Sequence, residues 1–167
     1  MSGLVATQIS TPRLTLVPLS KPTARAVVAG DLSGVRHAAG WPHDDTLDAL
    51  RMALAAGSRS LVWLVAHEGV VIGDCGTVGS VDPSGDIELG YGLAAECRGL
   101  GYGNEVVAAL SDWLIRAPGV RRVVARDVVA ANVPSRRALE RAGFVLEREE
   151  AGLTWYALER RSRPGRM

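Results

Sequence analysis

The sequence predicts a single mixed α/β domain, and three observations carry that prediction. The chain has 167 residues, 47% of them hydrophobic and 22% charged, which suits one domain with its own core. Its first half is dominated by short apolar runs bounded by turn residues, the mark of strands. Past Gly103 the apolar spacing lengthens to that of a helix, and helix and strand then alternate to the end.

Taken in order, Thr11 to Pro18 places Leu14 and Leu16 alternately with Thr15 and Val17 and reads as a half-buried strand. Two helices follow, over Lys21 to Gly30 and from Asp44 or Asp45 to Ala56, with Gly40, Trp41 and Pro42 breaking them apart. In the second, Leu47, Leu50, Met52 and Leu54 recur at helical intervals, and an aspartate before them is expected to accept from the free amides of the first turn. Ser60 to Ala66, Val70 to Val81 and Asp86 to Leu93 form three successive antiparallel strands. The short His67-Glu68-Gly69 and the turn at Asp82 to Gly85 join them. Val106, Val107, Leu110, Trp113 and Leu114 then make the stripe of an amphipathic helix over about Glu105 to Arg116. A strand over Arg121 to Val128 and a short helix over Pro134 to Ala142, stopped by Gly143, come next. Phe144 to Glu149 and Leu153 to Leu158 close the chain as a hairpin around Ala151-Gly152.

Composition narrows the function classes. A net charge of +1 argues against a nucleic-acid binder, which gathers a basic excess on one face. The arginines at 160, 161, 163 and 166 read as a frayed, solvated tail over residues 160–167. No apolar run approaches a membrane span and residues 1–10 lack the pattern of a leader, so no membrane partner is expected. Cys75 and Cys97 are too few for a disulfide framework or a zinc site, so a cytoplasmic setting and no metal are expected.

Three local features carry chemistry. Arg98-Gly99-Leu100-Gly101-Tyr102-Gly103-Asn104 lies between a strand and a helix, where alternate glycines bare the main-chain amides and the helix start favours an anion. It is either a pyrophosphate cradle or simply a tight turn. A triphosphate-binding loop is excluded, because Asn104 and Glu105 stand where Lys and Ser/Thr are needed. A dinucleotide-binding oxidoreductase, with Asp127 as its acid, stays a minor alternative: Asn104 replaces the third glycine and antiparallel strands come first. Second, the strand before the cradle sets Ile87, Leu89, Tyr91 and Leu93 on one face and Glu88, Gly90 and Gly92 on the other. That bare face suits a ligand close to the backbone with Glu88 as a base, or an exposed glutamate beside a bulge. Third, Asn132-Val133-Pro134-Ser135 begins a helix, where Asn132 and Ser135 serve by default as caps.

Together these motifs resemble the GNAT superfamily of acetyl-coenzyme A-dependent N-acetyltransferases, and within it the RimJ/RimL-like branch. Arg98 to Gly103 fits the R/Q-x-x-G-x-G/A signature, and Asn132-x-x-Ser135 through Leu139-Glu140-Arg141-Ala142-Gly143-Phe144 resembles the second motif. Thr11-x-Arg13-Leu14-x-Leu16-x-Pro18-Leu19 is similar to the branch's first strand. The resemblance spans nearly the whole chain. It implies a twisted central sheet splayed to admit acetyl-coenzyme A, whose pyrophosphate meets the amides of Arg98, Gly99, Leu100, Gly101, Tyr102, Gly103 and Asn104. The pantetheine arm would lie along Leu93, Ala94 and Ala95, with Asn132 against it and Ser135 near the thioester. Glu88 would take a proton from the attacking amine and Ser135 would face the leaving sulfur. The usual tyrosine donor is replaced by Leu139, which is expected in the core, and Tyr156 is a substitute or a partly buried aromatic with a wet hydroxyl.

The implied partners are acetyl-coenzyme A and an amine acceptor, either a protein N-terminus or a small molecule, with the chain a monomer or homodimer. The acceptor is expected against the two early helices, where Trp41, His43, Asp44 and Asp45 offer an apolar wall and negative charge, or simply a cap and a turn. A non-catalytic acyl-coenzyme A sensor is the alternative function, favoured by the missing tyrosine.

Overall fold

Chain order and sheet order nearly coincide. In the computed structural model, which describes residues 3–162 and 165, eight strands form one sheet in the order β1-β2-β3-β4-β5-β6-β8-β7. They are β1 (Ile9–Ser10), β2 (Thr15–Pro18), β3 (Val62–His67), β4 (Val70–Val78), β5 (Asp86–Leu93), β6 (Arg122–Val129), β7 (Val145–Glu150) and β8 (Leu153–Glu159). The helices are α1 (Lys21–Val28), α2 (Asp44–Leu54), α3 (Tyr102–Ile115) and α4 (Val133–Arg141), with a 3-10 turn at Ala95–Cys97. Of the tail arginines, those at 163 and 166 lie outside the described residues. No helix among the described residues is long and apolar enough to cross a membrane.

The expected mixed α/β order holds, with three local corrections. The strand expected over Thr11 to Pro18 begins only at Thr15, with a separate two-residue β1 before it: between them the Thr11 hydroxyl accepts the Leu14 amide (2.9 Å), and this local bond turns the chain where a continuous strand was expected. Helix α2 is capped by His43, whose Nδ1 accepts the Thr46 amide, so Asp44 and Asp45 occupy the first turn instead of capping it. Helix α3 starts at Tyr102, three residues before the start expected at about Glu105, because Gly101 at φ 82° is the left-handed cap that turns the chain into it.

The sheet is covered on both faces. α3 and α4 bury Val106, Val107, Leu110, Leu114 and Leu139 against Trp63, Val65, Ile87 and Leu89. α1 and α2 bury Val27 and Leu50 with Trp41, Leu64 and Val71 on the opposite face. Each such fully buried aliphatic side chain stabilises the fold by about 1.5–3 kcal/mol.

The feature that creates a site is a fork. β5 and β6 run parallel but pair only at Asp86–Arg122, Ile87–Val123 and Glu88–Val124. Beyond Glu88 they part, and β6 carries a bulge between Ala125 and Val128 with Asp127 at φ 56°. Arg122 grips Asp86 at the closed end through Nε (3.0 Å) and Nη2 (2.7 Å). That paired guanidinium holds the Asp86 carboxyl below its ordinary range.

Candidate active site

The open end of the fork meets the first turn of α3. Among the described residues the amides of Gly99 through Asn104 donate to no protein acceptor, so main-chain N–H groups are offered at a helix start. Gly101 turns the loop, and Gly103 allows close approach: a Cβ there would sit 3.4 Å from the Tyr91 ring. Arg13 braces the loop from outside. Its Nε pairs with Glu105 (2.8 Å), its Nη1 donates to the Leu100 carbonyl (2.9 Å), and its guanidinium lies 4.5 Å from the Tyr102 ring centroid. Thr11 donates to the same Glu105 carboxylate. Leu93 and Ala94 are buried and Ala95 is exposed where the strand leaves the fork. The Arg98 side chain folds back to donate to the Leu93 carbonyl (3.1 Å).

Across the fork, α4 starts at Asn132, whose side chain accepts the Ser135 amide (3.3 Å). Tyr91 donates its hydroxyl to Ser135 Oγ (3.2 Å), joining β5 to α4, and burial pushes its phenol above the ordinary range. Leu139 is buried, as expected. Tyr156 does not take the missing tyrosine's place. It is 1% exposed, and its hydroxyl accepts from Arg136 (2.9 Å) and donates to Glu140 (3.0 Å), so it is sealed beneath α4.

The opposite face of β5 is bare in the expected way. Register places Glu88, Gly90 and Gly92 beside Val78, Gly76 and Asp74 of β4, and a cleft of about 220 Å³ opens above Gly90 and Gly92 under α2. A side chain at Gly90 would meet nothing within 4 Å, whereas one at Gly92 would come within 2.9 Å of His43 Nε2. His43 and Asp45 line this cleft with Asp74, Met52, Leu61 and Val62. Asp44 is exposed outside it. Trp41, expected as an apolar wall, is only 2% exposed and lies beneath the cleft, where its Nε1 donates to Asp74 (3.0 Å). Glu88 is half-buried. Burial raises its carboxyl above the ordinary range, opposed by Arg126 at 3.5 Å.

Four residues here escape sequence reasoning as site residues. Arg13 shows only as part of a motif, and its partner Glu105 lies 92 positions away. Tyr91 reads as one bulky residue of a strand face. Thr46 carries no signal. Asp74 does carry one, as an acid inside the apolar run Val70-Val71-Ile72-Gly73-Asp74-Cys75. A carboxylate in such a run is buried and has partners.

Comparisons with known proteins show the family and agree with the fold. The family model described as acetyltransferase (GNAT) domain matches residues 13–145. The uncharacterized N-acetyltransferase YjdG of Bacillus subtilis is 29% identical over 119 residues, 66% of this chain and 70% of its own. An acetyltransferase from Agrobacterium tumefaciens has a similar structure, with TM-score 0.62 and 28% identity over 93% of this chain and 96% of that one. RimL, the ribosomal L7/L12 alpha-N-protein acetyltransferase, solved with coenzyme A, superposes with TM-score 0.63 at 19% identity over 92% and 98%.

Proposed function

We propose, from the premise that this chain belongs to the acetyltransferase (GNAT) family, that it acetylates a cationic primary amine with an apolar body, presented to acetyl-coenzyme A from the α2 side of β5. Acetyl-coenzyme A-dependent N-acetyl transfer is the activity; the acceptor class and the residue roles are our reading. Family membership also removes the dinucleotide alternative. The observation that carries the reading is the fork: β5 and β6 separate after Glu88, with unpaired amides at one side and a cleft at the other. The fit is a physical one, since a pyrophosphate needs donors without a side chain in the way.

Acetyl-coenzyme A supplies an activated acyl carbonyl with a thiolate leaving group. The amides of Gly99 to Asn104 would hold its phosphates, Leu93 to Ala95 and Asn132 its pantetheine arm. Over one turnover a C–N bond forms and the C–S bond breaks; nitrogen gives up two protons, of which sulfur takes one and solvent the other. Glu88, with its raised carboxyl, is suited to accept a proton from nitrogen as it attacks. Ser135, polarised by the Tyr91 hydroxyl, is suited to hydrogen-bond the departing sulfur. Asp45 and Asp74 at the cleft favour an ammonium, and Met52, Leu61, Val62 and Val78 an apolar body. A cytoplasmic setting and a monomer or homodimer belong to the same reading; free Cys75 and Cys97 support the setting.

The test is an acetylation assay with phenethylamine, spermidine and a peptide with a free N-terminal serine. The reading expects phenethylamine to be turned over best. Preference for the peptide would make the acceptor a protein terminus, in the manner of RimL, an alpha-N-protein acetyltransferase. Tight acetyl-coenzyme A binding without turnover of any amine would favour the sensor.

A further inference from the structure

The amine must lose two protons, and Glu88 accounts for one acceptor. A second proton-accepting group, His43, lines the cleft itself. His43 lies over Gly92, and Glu88 stands on the same face of β5 at the other side of Gly90, so along the backbone Glu88 and Gly92 are each two residues, about 7 Å, from that open position. Behind the imidazole runs a chain of hydrogen bonds: His43 Nδ1 to Thr46 Oγ1 is 2.6 Å, and Thr46 Oγ1 to Asp74 Oδ2 is 2.5 Å.

The chain has two tautomers. In one, Nδ1 accepts the Thr46 amide (3.0 Å) as an ordinary cap and Nε2 carries the ring proton. In the other, the single hydroxyl proton of Thr46 goes to Asp74, so Nδ1–H donates to Thr46 Oγ1 and Nε2 presents a lone pair to the cleft. An imidazolium formed there has a carboxylate behind it, reached through one hydroxyl. Thr46 is 0% exposed and Asp74 7%, so water competes little for these bonds. The other charged group lining the cleft is Asp45 on α2. A cap alone does not need the buried carboxylate, because any Asn, Ser or Asp accepts the same amide.

We propose that His43 Nε2 receives the proton that the incoming ammonium sheds to become a nucleophile, with Thr46 and Asp74 as positioning residues. This rests on the acetyl-transfer reading above. Nε2 passes that proton to solvent; Glu88 takes the one released as the C–N bond forms and returns it to solvent, from which the departing thiolate is protonated, so that one proton in all is released per turnover.

The experiment is steady-state kinetics with whichever of the three amine probes wild type acetylates fastest, beside calorimetric titration with acetyl-coenzyme A and thermal melting. His43→Asn keeps a side-chain cap for α2 but has no basic nitrogen. We expect its kcat to fall about a hundredfold with cofactor Kd and Tm unchanged. Thr46→Val should lose less, Thr46→Ser should recover most of that loss, and added imidazole should restore part of the activity of His43→Gly. A His43→Asn enzyme with wild-type kcat overturns the inference while leaving acetyl transfer intact. A wild type that acetylates none of the probes removes both.

Discussion

Cofactor side and acceptor side of the β5–β6 fork are built from different materials. On the first, where the cofactor is proposed, main-chain amides from Gly99 to Asn104 stand without protein acceptors, and the side chains around them, Arg13, Glu105 and Thr11, hold the loop from behind. On the second, where the acceptor is proposed, the main chain recedes to bare glycines at 90 and 92, and the titratable side chains are Glu88, His43 and buried Asp74. A pyrophosphate is the same in every acetyl-coenzyme A, so a fixed cradle serves it. Acceptors vary, and a face of replaceable side chains can follow them without disturbing the cradle.

The contrast is sharpened by separating affinity from rate. Glu88→Gln should lower kcat about a hundredfold while leaving acetyl-coenzyme A affinity as in wild type, read by amine kinetics beside titration. Gly101→Val should do the reverse, weakening the cofactor about tenfold or more, the scale of a lost charge-assisted hydrogen bond. Because Gly101 sits at φ 82°, with Arg13 Nη2 3.2 Å from any added Cβ, that substitution also costs about 1–2 kcal/mol of stability, visible in thermal melting. Arg122→Ala, at the closed end common to both sides, should cost about 2 kcal/mol by leaving buried Asp86 without its forked partner, measured by denaturant unfolding.

The smallest effect compares two buried aspartates, Asp74 at 7% and Asp86 at 8% exposure, which are pushed in opposite directions. Burial raises Asp74 despite bonds from Thr46 and Trp41, so its folded form binds a proton that the unfolded chain has already released. Its penalty is absent below the ordinary carboxyl value near 4 and grows as pH rises through the raised value. Asp86 is held low by Arg122, so its contribution is present above that ordinary value and is lost as pH falls through the lowered one. Unfolding from pH 3 upward should therefore show Asp74→Asn gaining on wild type as pH rises and Asp86→Asn falling behind. Each tenfold difference in proton affinity between folded and unfolded chain is worth about 1.4 kcal/mol in that comparison.

The two sides also differ in how far they are legible. The cradle is contiguous, so seven neighbouring residues display its glycines and its helix start, and the alternation over Asp86 to Leu93 displays the bare face. Helix and strand order is readable for the same reason, because each element declares its period locally. The acceptor side is assembled from α2, β4 and β5, and no local pattern joins Thr46 to Asp74 across 28 positions. The reading of Trp41 fails on the same ground: a tryptophan between helices reveals its apolar body but not the buried carboxylate its indole N–H must meet. Tyr156 fails as a donor because its hydroxyl partners, Arg136 and Glu140, lie on a helix that sequence alone does not place over it.

The most direct test is calorimetric titration of wild type, Gly101→Val and Glu88→Gln with acetyl-coenzyme A under one set of conditions. Wild type and Glu88→Gln should bind alike, in the micromolar range or tighter, and Gly101→Val should bind markedly more weakly. Unchanged binding in Gly101→Val, or loss of binding in Glu88→Gln alone, would contradict a cofactor held by main chain on one side of the fork and an acceptor worked on by side chains on the other.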